Sequence, residues 1–127
     1  MPPFTVETES KTSLFDITDR VTDQLPADAE GVCTVFVRHT TAGVVVNEHE
    51  RRLLDDLADG LDSLVPDEGW AHDALDGNGD SHVRAMLVGE SVTVPVSDGE
   101  LQVGRWQSVL LVECDGPRTR TVDVVVH

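Results

Sequence analysis

Short valine-rich runs, none longer than a β-strand, are the feature that most constrains how this chain can fold. The clearest of them are "VCTVFV" at 32–37, "AGVVV" at 42–46, "SVTVPV" at 91–96, "SVLLVEC" at 108–114 and "TRTVDVVV" at 119–126. Runs of this length, rich in β-branched residues, are typical of strands and not of helices. They are also too short to cross a bilayer, so the sequence predicts no membrane span.

Two further strands and one long periodic stretch complete the predicted element order. "PFTVET" at 3–8 and "LFDIT" at 14–18 are predicted strands, and a short helix follows the second one and ends near Leu25. Between Leu53 and Val65 the apolar residues recur at helical spacing. This period predicts the longest helix of the chain.

Capping residues mark the ends of the predicted helices. Asn47 is the predicted N-cap of the long helix, with Glu50 three residues later in the capping-box position. Ser81 is the predicted N-cap of a short helix that ends at Gly89. The whole order predicts one α+β domain over residues 1–127, with a mostly antiparallel sheet system and two or three helices.

The chain carries a large excess of acidic side chains, with 24 Asp and Glu against 9 Lys and Arg and a formal net charge of −15. Nucleic-acid binding depends on Lys and Arg, so we expect no nucleic-acid partner. The acid is spread along the whole chain, which favours adaptation to a salty cytoplasm over a dedicated acidic interaction surface. The segment "MPPFTVETES" lacks the features of a secretory signal, so a cytoplasmic location is expected.

Two groups of residues that could bind metals are interpreted as structural. Cys33 and Cys114 lie inside apolar runs without CxxC spacing, so we predict two buried thiols and no redox or zinc chemistry. Asp55, Asp59 and Asp62 recur every three or four residues on the polar side of the long helix. That spacing indicates a solvated helix face and not a metal site.

Three of the five histidines are candidates for a functional site. His39, His72 and His82 each lie in a loop or at the boundary of an element, beside small polar residues. Three neutral imidazoles with an open fourth position suit a catalytic Zn²⁺, and the same side chains could serve as general acids and bases. Scattered surface histidines are the alternative. His49 is interpreted as a surface residue, and no role is expected for the terminal His127.

The arginines point to an anionic ligand. Arg38, Arg84, Arg105, Arg118 and Arg120 all adjoin candidate residues or turns in a chain that has few cations. Because a guanidinium binds phosphate in bidentate fashion, a small phosphorylated substrate is a reasonable expectation. The alternative is that these arginines pair with the abundant carboxylates. The sequence alone leaves both possibilities open.

Several motifs, in the same order, resemble those of the small YjbQ-like family, the secondary thiamine-phosphate synthases. The matching stretches are "HTTAGVVVNE", the loop histidine after "LVP", "SHVRAMLVGESVTVPV" and "GRWQSVLLVECDGPRTR". The likeness extends from about residue 4 to the C-terminus. The resemblance implies a jelly-roll-like β-sandwich core and a homotrimer.

The resemblance also implies that the three candidate histidines cluster. In this interpretation the catalytic residues are His39, His82, Glu48 and Arg118, and the substrate-binding residues are Thr40, Thr41, Asn47, Arg84 and Glu113. The metal ligands are His39, His72 and His82, holding a divalent ion such as Zn²⁺ or Mg²⁺.

The activity implied by the resemblance joins a hydroxymethylpyrimidine diphosphate to a thiazole phosphate and releases diphosphate. Two other hypotheses fit the same residues. One is metal-assisted hydrolysis of a small phosphorylated or ester substrate. The other is a trimeric module that binds a metal or an anion without catalysis.

Overall fold

The computed structural model describes residues 2–127, which form two antiparallel sheets and a layer of helices. The strands are β1 (Phe4–Glu7), β2 (Ser13–Asp16), β3 (Gly31–Val37), β4 (Ala42–Asn47), β5 (Ser91–Ser97), β6 (Glu100–Leu101), β7 (Ser108–Glu113) and β8 (Thr119–Val126). The large sheet has the order β1-β8-β3-β5-β6 and the small sheet has the order β2-β7-β4. The predicted α+β class with antiparallel sheets is confirmed.

The main core lies between the two sheets. Val35 on β3 and Val122 on β8 face Val44 on β4 and Leu111 on β7, and all four side chains are fully buried. Alternate residues of each strand therefore point inward, as the period of two in the sequence requires. β7 is buried on both faces because helices cover the other side of the small sheet, which explains its continuous apolar run.

Three α-helices and one 3-10 helix complete the fold. They are α1 (Thr18–Gln24), α2 (Arg51–Leu64), the 3-10 helix (Ala71–Ala74) and α3 (Gly79–Val88). Ala85 of α3 packs on Val112 and Cys114 of the small sheet, and Leu61 of α2 packs against the same cluster. The layers are thus large sheet, small sheet and helices.

A glycine allows α3 to end close against β4. A Cβ at Gly43 would lie 2.4 Å from the carbonyl oxygen of Gly89 and 2.7 Å from the side chain of Val88. Any other residue at position 43 would push the end of α3 away from the strand. This contact holds one side of α3 next to the β3–β4 corner.

Two predicted helix starts are wrong. Asn47 is not the N-cap of α2, because it still pairs with Ser108 as the last residue of β4. The N-cap is Glu50, whose carboxylate accepts a hydrogen bond from the N–H of Arg52. α3 begins before the predicted cap at Ser81, since the carboxylate of Asp73 accepts the N–H of Gly79 at 3.0 Å.

The prediction of two buried thiols is confirmed. Cys33 on β3 and Cys114, directly after β7, are buried free thiols, and burial raises the pKa of Cys114 to about 12. In the described part of the chain, no helix has both the length and the apolar character needed to cross a membrane.

Candidate functional site

The β3–β4 corner presents His39, Thr40 and Thr41 at one end of the sandwich. The Nε2 atom of His39 accepts a hydrogen bond from the backbone N–H of Thr121 on β8, at 2.8 Å. Since Nε2 is the acceptor, the proton of the neutral ring is on Nδ1. His39 is therefore held in one tautomer by the neighbouring strand.

The surroundings of His39 favour the neutral ring. Burial is the largest cause that lowers the pKa of His39 below its usual value, and the positive charge of Arg120 lowers it further. Glu113 opposes this shift but does not outweigh it. At neutral pH, His39 is thus an uncharged hydrogen-bond donor through Nδ1.

A buried ion pair supports the β3–β4 corner. Glu113 on β7 and Arg120 on β8 are almost fully buried and bond to each other through both carboxylate oxygens. The Nη2 atom of Arg120 also donates to the carbonyl oxygen of Thr41 at 3.0 Å and to its hydroxyl at 2.9 Å. The hydroxyl of Thr8 donates to Glu113 at 2.7 Å. This network fixes the backbone of the corner in place.

These contacts correct two predicted roles. Glu113 was expected to bind substrate, but its oxygens accept bonds from Thr8, Arg120 and the N–H of Asp115. Burial alone would raise the pKa of Glu113, yet the bonds from Arg120, Thr8 and Asp115 lower it overall. The hydroxyl of Thr41 is likewise bound to Arg120. Both residues hold the corner in place, and of its two threonines Thr40 is the exposed one.

A polar cleft of about 440 Å³ opens beside the corner. It lies at the start of α3 and is lined by His39, Thr40, Thr41, Asp76, Asn78, His82, Asp115, Arg118, Thr119 and Arg120. Arg118 is half exposed and bonds to Asp115 at 3.1 Å, while Arg120 is buried against Glu113. Arg118 is therefore the guanidinium in this cleft that a ligand can reach.

A second, apolar cleft of about 630 Å³ adjoins the polar one. It runs between the end of β3 and the later part of α3, and its lining residues are Phe36, Val37, Arg38, His39, Thr40, Ala42, His82, Ala85, Met86 and Glu90. Three residues, His39, Thr40 and His82, line both clefts. They form the shared wall where the polar and apolar spaces meet.

His72 stands behind His82 and not beside the corner. The two rings meet edge to face with their centroids 4.8 Å apart. The Nε2 atom of His72 is buried, has no hydrogen-bond partner among residues 2–127 and lies 3.6 Å from a carboxylate oxygen of Asp76. The predicted histidines thus lie in the same region of the molecule, in the order His39, His82, His72.

This arrangement does not form a ready-made site for the predicted metal. Within residues 2–127, no three His, Cys, Asp or Glu side chains are placed to hold an ion together. The Nε2 atom of His39 is already occupied by Thr121, and a zinc ligand needs a free imidazole nitrogen. A divalent metal stays a prediction.

Asn47 and Glu48 lie far from the two clefts in this chain. β4 begins next to the corner at Ala42 and ends at Asn47, and a strand of that length spans about 17 Å. The side chain of Asn47 accepts the N–H of Glu48 at 2.8 Å. The structure therefore does not bring the predicted substrate ligand Asn47 or the predicted catalytic Glu48 to His39.

Arg84 is also not available to a substrate. Its side chain is fully buried and bonds to Asp80, to Asp67 at 2.7 Å and to the carbonyl oxygen of Val65 at 2.8 Å. Lys11 completes the network with a bond of 2.7 Å to Asp80. Arg84 joins α3 to the segment that follows α2, so its predicted role in substrate binding is wrong.

Two other arginines that were considered for anion binding are engaged elsewhere. Arg38 forms a two-pronged ion pair with Asp123 on β8, next to the apolar cleft. The guanidinium of Arg105 stacks on Trp106 at 4.7 Å, and Trp106 is exposed. For Arg38, the predicted pairing with carboxylates is what the structure shows.

Arg120 was expected, with the other arginines, at an anionic ligand, and its bonds to Glu113 and Thr41 give it a supporting role that was not predicted. In β8, Arg120 lies on the same inward-facing side of the strand as Val122 and Val124, which are both buried. A cation at an inward position needs a buried partner, and Glu113 ends the apolar run of β7. The alternation of inward and outward residues along β8 was the signal that could have identified this pair.

The comparisons with known proteins give one consistent result. A family model described as "UPF0047 protein YjbQ-like" matches residues 3–127. A UPF0047 protein from Archaeoglobus fulgidus is 45% identical over 121 residues, covering 94% of this chain and 95% of the relative. Another, from Methanothermobacter thermautotrophicus, is 43% identical over 124 residues, covering 95% and 87%. The crystal structure of a hypothetical protein from Aeropyrum pernix superposes with a TM-score of 0.94 at 39% identity, covering 98% and 96%.

Proposed function

The chain belongs to the YjbQ-like UPF0047 family, and we propose that it transfers a group between two small phosphorylated heterocycles. The proposed reaction is that of a secondary thiamine-phosphate synthase. A hydroxymethylpyrimidine diphosphate reacts with a thiazole phosphate, giving thiamine phosphate and diphosphate.

One observation carries the proposal: Arg118, His39 and His82 line a single polar cleft at the start of α3. The dipole of α3 favours an anion at this end of the helix, although the N–H of Gly79 is already bonded to Asp73. Arg118 adds a half-exposed guanidinium, which pairs with Asp115 at 3.1 Å and can turn to an incoming anion. A diphosphate group bound here is stabilised by both, in an otherwise acidic molecule.

The chemistry follows from the charge that develops in the reaction. The bond between the hydroxymethyl carbon and the diphosphate oxygen breaks, its electron pair leaves with the diphosphate, and the thiazole nitrogen forms the new C–N bond. Preorganised donors that face the leaving oxygen lower the barrier. We propose Arg118 and the Nδ1–H of His39 as these donors, and His82 as the group that passes a proton to the leaving diphosphate.

A matched pair of arginine variants tests this role. Arg118→Ala should lower kcat/KM for thiamine phosphate formation by about 100-fold, because the leaving diphosphate loses its accessible cation. Arg51→Ala also removes one positive charge, but from the exposed start of α2, and should leave the rate unchanged. Equal rates for Arg118→Ala and wild type would remove Arg118 from the reaction.

We also propose that the protein assembles as a homotrimer in the cytoplasm. None of residues 2–127 covers the outer face of the large sheet at Val125, whose side chain is 50% exposed. A further copy of the chain packed on this part of the face would bury it. Light scattering of the purified protein should then give three times the mass of the chain, and Val125→Lys should lower that mass.

A further inference from the structure

One face of α3 passes through both clefts. Asn78, His82 and Met86 are spaced four residues apart, so they lie in one row along the helix. Asn78 lines only the polar cleft, His82 lines both, and Met86 lines only the apolar cleft. A helical rise of about 1.5 Å per residue places Met86 about 12 Å from Asn78.

We propose that the apolar cleft binds the ring of a phosphate ester whose anionic end lies in the polar cleft, with Met86 and Phe36 as the residues that select the ring. This inference rests on the proposed function, since the anion is held where the leaving diphosphate would be. It adds the orientation of the substrate and the residues that determine specificity.

The two clefts are neighbours with three lining residues in common, which favours one ligand that reaches from one cleft into the other. His39, Thr40 and His82 form the junction, so the ester bond between ring and phosphate would lie beside them. The volume of about 630 Å³ falls within the range of small-molecule sites, which is roughly 300–1,000 Å³. A ring on a methylene-linked phosphate, in extended form, is compatible with the row along α3.

The apolar cleft has the chemistry of a ring site. Met86 is 73% exposed, and Phe36 faces the same cleft from β3. A methionine adapts its shape to a flat ligand, and a phenylalanine offers an aromatic face. Arg38 at the rim is already paired with Asp123. Glu90, also at the rim, can accept a hydrogen bond from a ring that carries an amino group.

Binding measurements with two simple probes separate the ring site from the anion site. Inorganic phosphate and benzyl phosphate are titrated calorimetrically against wild type, Met86→Gln and Leu87→Gln at one ionic strength. Leu87 is the control because it is exposed on the same helix and lines neither cleft. Wild type should bind benzyl phosphate about tenfold more tightly than phosphate, as expected for partial burial of a benzene ring.

The variants give the decisive comparison. Met86→Gln should reduce the preference for benzyl phosphate severalfold without changing the affinity for inorganic phosphate, and Leu87→Gln should keep the preference. If phosphate binds but wild type shows no preference, or the two variants behave alike, the ring site is refuted while the proposed function stands. If neither probe binds, the anion site fails and the ring site with it. A Met86→Gln protein whose mass changes in light scattering, with no effect on the preference, would show that the cleft contacts another copy, which also refutes the ring site.

Discussion

His39 combines a fixed tautomer with partial burial beside Arg120, and both have measurable consequences. Thr121 donates to Nε2 at 2.8 Å, so protonation of that nitrogen would break the bond. Burial and Arg120 act in the same direction on the pKa of His39. We therefore expect its titration midpoint, followed by NMR of the ring protons, to lie below the ordinary value of 6.5.

The same shift links stability to pH. The folded state binds fewer protons at His39 than the unfolded chain, so the residue contributes stability above pH 6.5. That contribution is lost as the pH falls from 6.5 toward the folded-state pKa. As the pH is lowered between these limits, the free energy of unfolding of His39→Gln should fall less steeply than that of wild type. Parallel curves for the two proteins would contradict the pKa shift.

The ion pair under the corner makes a second prediction at the residue scale. Glu113→Gln keeps the shape of the side chain but leaves the buried Arg120 without its counter-charge. Breaking one partner of a buried pair costs about 3–5 kcal/mol, which should appear in the free energy of unfolding from denaturant titration. The exposed Glu68→Gln is the control and should change it by less than about 0.5 kcal/mol. Similar values for both variants would mean that the pair does not support the corner.

Single residues were predicted unevenly from the sequence. His39, Thr40 and Arg118 could be singled out because they lie in connections between strands, and His82 because it lies in the first turn of a helix; all four line one cleft. Arg120 and Glu113 could not be paired without the register of β7 and β8. Arg84 comes two residues after His82 in the sequence. On α3 its side chain therefore points to the opposite side of the helix, toward Asp62 and Asp67.

At the scale of elements, α3 is held by a charged network on one side and presents the clefts on the other. Arg84→Met keeps most of the side-chain volume but leaves the buried Asp80 with Lys11 alone. We expect a loss of about 3 kcal/mol or more in the free energy of unfolding, with the phosphate affinity of the folded protein unchanged. Arg51→Met serves as the exposed control. A loss of phosphate affinity at unchanged stability would restore Arg84 as a ligand-binding residue.

The strands other than the two-residue β6 were predicted to within about two residues, because alternation and turn chemistry are local signals. The starts of α2 and α3 were not predicted correctly, because helix caps depend on tertiary contacts. Asn47 has the chemistry of an N-cap, but pairing with Ser108 extends β4 through it. Asp73 caps α3 from the preceding 3-10 helix, so the helix begins earlier than Ser81 suggested.

At the scale of the whole molecule, the packing of two sheets and a helix layer decides which motifs share a site. The β3–β4 corner, the β7–β8 turn and the start of α3 converge at one end. Asn47, Glu48 and the exposed Trp106 belong to other parts of the chain, since β4 runs away from the corner. Motif order in a sequence cannot give this separation, because it depends on strand direction. The predicted adaptation to a salty cytoplasm concerns the surface charge and stays a prediction.

The most direct test of the proposed function is an assay of thiamine phosphate formation from the pyrimidine diphosphate and the thiazole phosphate. Wild type and His82→Ala are run side by side, with and without added Mg²⁺ or Zn²⁺, and both are checked for folding and mass. The proposal predicts that wild type releases one diphosphate for each thiamine phosphate formed, and that His82→Ala abolishes both. A folded wild type without turnover, or a His82→Ala protein of full activity, would contradict it.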